Sequence, residues 1–146
     1  MTVSKWDKRF LVLAEHKASW SLDKGTKVGC VIAKGRQDKY YGYNGFPQGI
    51  ADTDARLHNY DLKHKLVIHA EMNAIFSARE SLEGHTLYST LVPCIRCAVS
   101  IIRVGITRVV CYSGETIKMK KHAVDIELTK QIFNEAGIEF IMLGFK

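Results

Sequence analysis

Apolar residues first recur at helical spacing at Trp6, Phe10 and Leu13, and the aliphatic stem of Lys17 continues the stripe. The pattern predicts a helix over about residues 4–19. A polar loop with a turn glycine, Gly25, follows it. The period then changes. Val28-Gly29-Cys30-Val31-Ile32-Ala33 is almost wholly apolar and too short for a helix, which suits a strand buried on both faces. Residues 34–38 have the length of a hairpin turn, and residues 39–43 read as the returning strand. Residues 44–49 hold two glycines and a proline and are expected to be a loop. Residues 51–68 are polar, mixed in charge and without a clean period, and are expected to be loop with some helix. Helix formers dominate from Ala70 to about Leu82, with Gly84 beyond. Residues 86–90 read as a strand. Pro93 stands where a helix begins, and that helix should run over residues 94–104 to Gly105. Residues 106–112 form another buried strand. Residues 125–136 form a helix with Ile126, Ile132, Phe133 and Ala136 facing inward. Gly137 closes it, and residues 138–143 make the last strand.

The predicted order is α-β-β-α-β-α-β-α-β. Its first two strands form an antiparallel hairpin. The later strands alternate with helices, so right-handed crossovers should make them parallel. The expected architecture is α/β, a three-layer α/β/α domain around a mixed sheet of about five strands. A length of 146 residues suits one domain with one well-buried core, so residues 1–146 are read as a single domain without repeats. Composition is 47% hydrophobic and 25% charged, which argues against disorder. No apolar run approaches membrane-spanning length, and the first ten residues lack the apolar core of a secretory signal. A soluble, cytoplasmic protein is expected. Four cysteines without such a signal fit a reducing compartment. The net charge of +6 suggests an anionic partner, a nucleotide or a nucleic acid. Most Lys and Arg are scattered, as on any solvated basic face. The one tight cluster, Lys118-Met119-Lys120-Lys121, has no interleaved aromatics and speaks weakly for nucleic acid.

Two short stretches carry candidate chemistry. His69-Ala70-Glu71 comes first, and Pro93-Cys94-Ile95-Arg96-Cys97 follows. His and Cys are zinc ligand types, and Cys94 and Cys97 have Cys-x-x-Cys spacing. Three ligands rather than four leave a position open for water, as catalytic zinc sites do. Glu71 is the natural base for that water. Residues two apart do not share a face inside a helix, so His69 and Glu71 can converge only where a helix is starting. Cys94, after Pro93, also opens a helix. Both helix ends carry partial positive charge that favours thiolates and a developing oxyanion. The expected chemistry is hydrolytic attack on an electron-poor carbon, with Glu71 moving protons to a ring nitrogen and to the departing amine. A redox pair or structural half-site is the competing reading of a Cys-x-x-Cys alone. Cys30 and Cys111 lie in apolar strands and read as inert core. His16, His85 and His122 read as surface residues. His58 and His64 are a weak candidate pair for a second metal.

The chain resembles the cytidine deaminase superfamily and, within it, the deoxycytidylate (dCMP) deaminases. The resemblance rests on Thr26-Lys27-Val28-Gly29, on Gly42-Tyr43-Asn44-Gly45-Phe46-Pro47-x-Gly49, on His69-Ala70-Glu71-Met72-Asn73-Ala74-Ile75, and on Thr90-Leu91-Val92-Pro93-Cys94-x-x-Cys97-Ala98. It implies a cytidine-deaminase-like fold and Zn2+ on His69, Cys94 and Cys97. The implied reaction is hydrolysis of dCMP to dUMP and ammonia on the way to thymidylate. It implies that Asn44 contacts the deoxyribose hydroxyl, that the Ala70 amide and the turn after Thr90 hold the pyrimidine edge, and that Val28 packs against the base. Lys27 is the leading candidate for the 5′-phosphate, with Lys63 and Arg56 behind it. The chain departs from the family pattern at Trp20 and Tyr60, where arginine is usual. A homo-oligomer with dCTP and dTTP as effectors is also implied. Competing functions are deamination of RNA or single-stranded DNA, of dCTP or of a 5-substituted dCMP, and a non-catalytic zinc-bound binding protein.

Overall fold

The computed structural model describes residues 2–113 and 123–144. The Lys118–Lys121 cluster and His122 lie outside them. The chain runs α1 (Lys5–Ala18), β1 (Gly29–Lys34), β2 (Gln37–Tyr43), α2 (Asp54–His58), α3 (Tyr60–Leu66), α4 (Ala70–Ser77), β3 (Thr86–Ser89), α5 (Ile95–Arg103), β4 (Arg108–Tyr112), α6 (Ala123–Glu135) and β5 (Glu139–Leu143). The five strands form one sheet in the order β2-β1-β3-β4-β5. β1 pairs antiparallel with both β2 and β3, whereas β3–β4 and β4–β5 are parallel. The mixed sheet expected from the element order is therefore the sheet observed.

The apolar run in β1 has a simple physical cause. Strand side chains alternate between faces, and here each face packs its own core. Cys30 and Ile32 join Leu87 and Val109 against Ala70 and Ala74 of α4, Ala98 and Ile101 of α5, and Phe133 of α6. Val31 and Ala33 join Tyr88, Val110 and Ile141 against Phe10, Leu11 and Ala14 of α1. The layers are thus α1, the sheet, and α4–α5–α6. The N-terminus of α1 is held by a reciprocal cap. The Asp7 N–H donates to Ser4 Oγ at 3.2 Å, and Asp7 Oδ2 accepts from the Ser4 N–H at 2.9 Å. Asp7 Oδ1 also accepts from Tyr88 Oη and Arg108 Nη1, both at 2.7 Å, and Asp7 Oδ2 accepts from Arg108 Nη2 at 2.9 Å. One carboxylate therefore ties α1 to β3 and β4.

Several expectations need correction. The buried stripe of α1 is Asp7, Phe10, Leu11, Ala14 and Ala18, so Trp6 and Leu13 flank it instead of centring it. The 51–68 stretch agrees with its reading as loop with some helix: it holds two short helices, capped by the side chains of Thr53 and Asn59. α4 ends at Ser77, well before Leu82, and Ala78 is already extended at ψ 138°. Tertiary contacts override propensity there. Glu80 is held at β2 by Lys39 at 2.6 Å and Tyr40 at 2.5 Å, and Leu82 is pulled into the core. His85 is buried, not on the surface, because it leads into the central strand β3. Its N–H donates to Leu82 O, and its carbonyl accepts from Thr107 N. On α6, Phe133 faces inward as expected, but Ala136 is exposed just past the helix end, and the inward place is taken by the fully buried Thr129.

Candidate active site

His69 is the N-cap of α4 and Cys94 the N-cap of α5. Extended backbone ends at each of these residues and a helix begins, so both helix N-termini converge on one point. His69 Nδ1 lies 3.4 Å from Cys94 Sγ and 3.4 Å from Cys97 Sγ. All three donor atoms lie within 4.8 Å of one another. A tetrahedral zinc with ordinary Zn–N and Zn–S bonds separates imidazole nitrogen from sulfur by about 3.6 Å. The triad is thus already at metal-binding separations, and its donor set is one zinc accepts. Thr129 Oγ1 donates to the Pro93 carbonyl at 3.3 Å, fixing the turn into Cys94 from α6.

Glu71 sits in the first turn of α4, buried to 5% exposure beside this triad. Burial raises its carboxyl above the ordinary range, against hydrogen bonds from its own backbone N–H and from Cys97 and the nearby His69 charge. The Cys94 thiol is lowered, first by the hydrogen bond from Cys97 and then by His69, while the same contact raises Cys97. A cation bound between the two sulfurs would deprotonate both. Cys30 and Cys111 are both fully buried, and burial raises both thiols. They are core residues, as expected.

The residues assigned to the nucleotide are distributed less simply. Ala70 is buried and opens α4, so its N–H is one of the donors a helix cannot satisfy by itself. Val28 is half-buried against the α4-side core. Asn44 is 7% exposed and engaged on both sides of its amide. It accepts from Val28 N at 2.8 Å and donates to Thr26 O at 2.9 Å. It therefore holds the 26–28 segment in place. Thr90 exchanges hydrogen bonds with Gly29, at 3.1 Å each way. Lys27 is exposed. Lys63 is pinned to Asp23 at 3.1 Å, and Arg56 Nη1 donates to Ala51 O at 2.9 Å. A cleft of about 210 Å³ opens next to the 43–46 loop, between Trp20, Tyr43, Phe46, Asp23, Lys63 and Val67. The triad does not line it. Trp20, one of the two departures, forms part of its wall, edge-on to Tyr43 at 6.2 Å between ring centroids. Tyr60, the other, stacks on His64 at 4.0 Å and stands well exposed. His58 and His64 each turn a ring nitrogen to a carbonyl of their own helix, Asp54 O and Tyr60 O. The one three-ligand group among the described residues is His69, Cys94 and Cys97.

Sequence reasoning did not single out Thr129, Asn73 or Gly42 as supports of the site. A threonine breaking an apolar stripe and an asparagine inside a helix were the available signals.

Fold and site together define a class, α/β/α domains that place a His/Cys/Cys metal group and a buried carboxylate at two converging helix starts. The family model for the cytidine and deoxycytidylate deaminase zinc-binding region matches residues 4–113, and the chain belongs to that family. It is 39% identical over 144 residues to a deaminase from the luxG 3′ region of Aliivibrio fischeri, covering 97% of this chain and 95% of that one. It is 32% identical over 144 residues to the deoxycytidylate deaminase of Homo sapiens, covering 93% and 78%. Its fold matches the apo crystal structure of dCMP deaminase from the cyanophage S-TIM5 at a TM-score of 0.76 and 22% identity, over 97% of this chain and 100% of that one.

Proposed function

We propose that this chain is a zinc-dependent hydrolytic deaminase that converts dCMP to dUMP and ammonia. The observation that carries the reading is Glu71, a carboxylate buried in the first helical turn beside His69, Cys94 and Cys97. Kinship to deoxycytidylate deaminases supports dCMP as the substrate. His69, Cys94 and Cys97 would hold a zinc ion, which would supply an acidified, oriented water. Two thiolates damp that acidifying power, so a carboxylate that takes the proton matters more here than in an all-histidine site. Glu71 takes one proton from the attacking water and places it on the pyrimidine ring nitrogen as the water oxygen bonds to the adjacent carbon; it then moves the remaining proton of that new hydroxyl to the amine, and the C–N bond breaks to release ammonia and leave the carbonyl of dUMP. Its burial supports this role, because a carboxyl raised by desolvation can hold a proton as well as accept one. The N-termini of α4 and α5 favour the thiolates and the negative charge that builds during attack.

Ala70 is assigned to the pyrimidine edge through its backbone, with Thr90 nearby, and Val28 to the face of the base. Asn44 is assigned to the sugar hydroxyl, for which its remaining hydrogen-bonding capacity would serve. Lys27 is the 5′-phosphate candidate because it is exposed while Lys63 and Arg56 are engaged. A homo-oligomer regulated by dCTP and dTTP belongs to the same proposal, supported by resemblance alone. So does a cytoplasmic location, which four free cysteines support. Among the described residues, no helix is long and apolar enough to cross a membrane.

The test is ammonia release from dCMP, dCTP, 5-methyl-dCMP, deoxycytidine and cytosine-containing oligonucleotides, with Glu71→Gln alongside. We expect dCMP to be preferred, and Glu71→Gln to keep its metal while losing at least about 10²-fold in kcat. Turnover confined to oligonucleotides refutes the substrate, and an unchanged kcat in Glu71→Gln refutes the residue.

A further inference from the structure

The first turn of α4 carries Glu71 directly behind His69, so whatever fixes that turn fixes the reacting carboxylate. Two residues outside the metal group do so. Gly42, on β2, lies opposite Cys30 in the sheet. A Cβ at this position would stand 2.2 Å from Ala70 O, 2.5 Å from Ala74 N and 3.0 Å from Asn73 Cβ. Gly42 is not among the glycines with positive φ, so it is needed for space and not for torsion. Ala70 O and Ala74 N are the two ends of one i→i+4 helical hydrogen bond. A methyl there would press on helix backbone, where no rotamer change makes room. Relief to ordinary contact distance requires α4 and β2 to part by about 1 Å. The second residue, Asn73, stitches the same contact from the helix side. Its Nδ2 donates to Tyr43 O at 2.8 Å and, more weakly, to Ile68 O at 3.4 Å. One amide thus joins the end of β2 to the residue before His69.

We infer that Gly42 and Asn73 are positioning residues for Glu71, setting the depth at which the first turn of α4 sits against β2 and hence the distance of the carboxylate from the metal group. The inference rests on the reading of Glu71 as the proton carrier. Its consequence is a loss in kcat larger than any rise in KM, because the turn that carries Glu71 also carries the Ala70 amide assigned to the pyrimidine edge.

The experiment compares Gly42→Ala, Asn73→Ala and a destabilised control, Leu11→Ala, whose side chain is buried on the α1 face. Each is measured for kcat and KM on dCMP, bound zinc per chain and melting temperature. A misplacement of about 1 Å costs on the order of 10²-fold in kcat, the loss expected for Gly42→Ala. Loss of one anchoring hydrogen bond in Asn73→Ala should lower kcat about tenfold. Any rise in KM, transmitted through Ala70, should be smaller than the fall in kcat, zinc content should stay within about twofold, and Leu11→Ala should keep the wild-type kcat when assayed below its melting temperature. The inference is overturned if both variants keep wild-type kcat, if the loss appears in KM alone, or if zinc depletion accounts for it. If Gly42→Ala does not fold, Asn73→Ala decides alone. Failure of the wild-type chain to deaminate dCMP sinks the proposed function instead. Crystal structures of the variants then decide the positional claim, with residues 70–73 displaced from Cys94 and Cys97 in support and unmoved against it.

Discussion

Replacing Asp7 by Asn keeps the shape of one side chain and removes the charge that closes the N-terminal helix onto the sheet. Asp7 is 3% exposed and accepts from Ser4 N, Tyr88 Oη and both terminal nitrogens of Arg108. Burial alone would raise its pKa. The hydrogen bonds from Arg108, Ser4 and Tyr88 outweigh burial and bring it from 3.8 to about 2. A fall of that size corresponds to roughly 2.5 kcal/mol of stability from ionisation. The folded pKa is the lower one, so this stability is present in full above about pH 4 and is lost as pH falls toward 2. The amide also turns an NH2 toward two of the four donor groups and leaves Arg108 with only Glu139, at 3.2 Å, as a carboxylate partner. At pH 7 we expect Asp7→Asn to lose about 2–4 kcal/mol, read from urea unfolding followed by circular dichroism. Between pH 4 and pH 2 the gap from wild type should narrow, because the wild-type carboxylate is being protonated while the amide does not titrate. Equal stabilities at pH 7, or a gap that widens on acidification, would refute the reasoning. Activity per folded molecule should be unchanged, since Asp7 packs on the α1 face and the metal group lies on the other.

Thr129→Val should leave the buried Pro93 carbonyl without its donor and lower stability by about 1–2 kcal/mol, more than Thr129→Ser does, as chemical denaturation would show. Prolonged dialysis against a chelator should abolish deamination, and added Zn2+ should restore it; recovery with Mg2+ alone would contradict the ligand set. Cys97→Ser should bind well under one zinc per chain by elemental analysis, whereas Cys111→Ser, a change in the core, should bind a full equivalent and show a lowered melting temperature.

The parts of this fold that were legible in the sequence are those where one local force dominates. β1 could be read as doubly buried because both its faces meet a core, so nothing polar interrupts it. His69, Glu71, Cys94 and Cys97 could be read because metal chemistry restricts residue type and spacing, and because a His-x-Glu pair can converge only at a helix start. The illegible parts depend on partners distant in the chain. Glu80 ends α4 early through Lys39 and Tyr40, and His85 is buried because β1 and β4 flank the strand it enters. Asn44 resembled a sugar contact, yet its amide is also bonded to Thr26 and Val28, which a motif cannot reveal. Gly42 reads in the sequence only as part of the returning strand and of the family motif, and its need for space shows only against the backbone of α4.

The two clasps of this molecule differ in the length of chain they close. His69 and Cys97 are 28 residues apart, whereas Arg108 and Asp7 are 101 apart. The longer closure costs roughly 1 kcal/mol more in chain entropy. During synthesis the difference is also one of time. All three candidate metal ligands have emerged once Cys97 is clear of the ribosome, while Asp7, made earlier, waits for Arg108. A metal could thus clip the nascent chain at its reactive centre before Arg108 ties α1 to β4, when α1 has only Val31, Ala33 and Tyr88 of the earlier strands to pack on. A metal held by His69, Cys94 and Cys97 would then aid folding as well as chemistry, and zinc supplied during translation should raise the soluble yield more than zinc supplied afterwards.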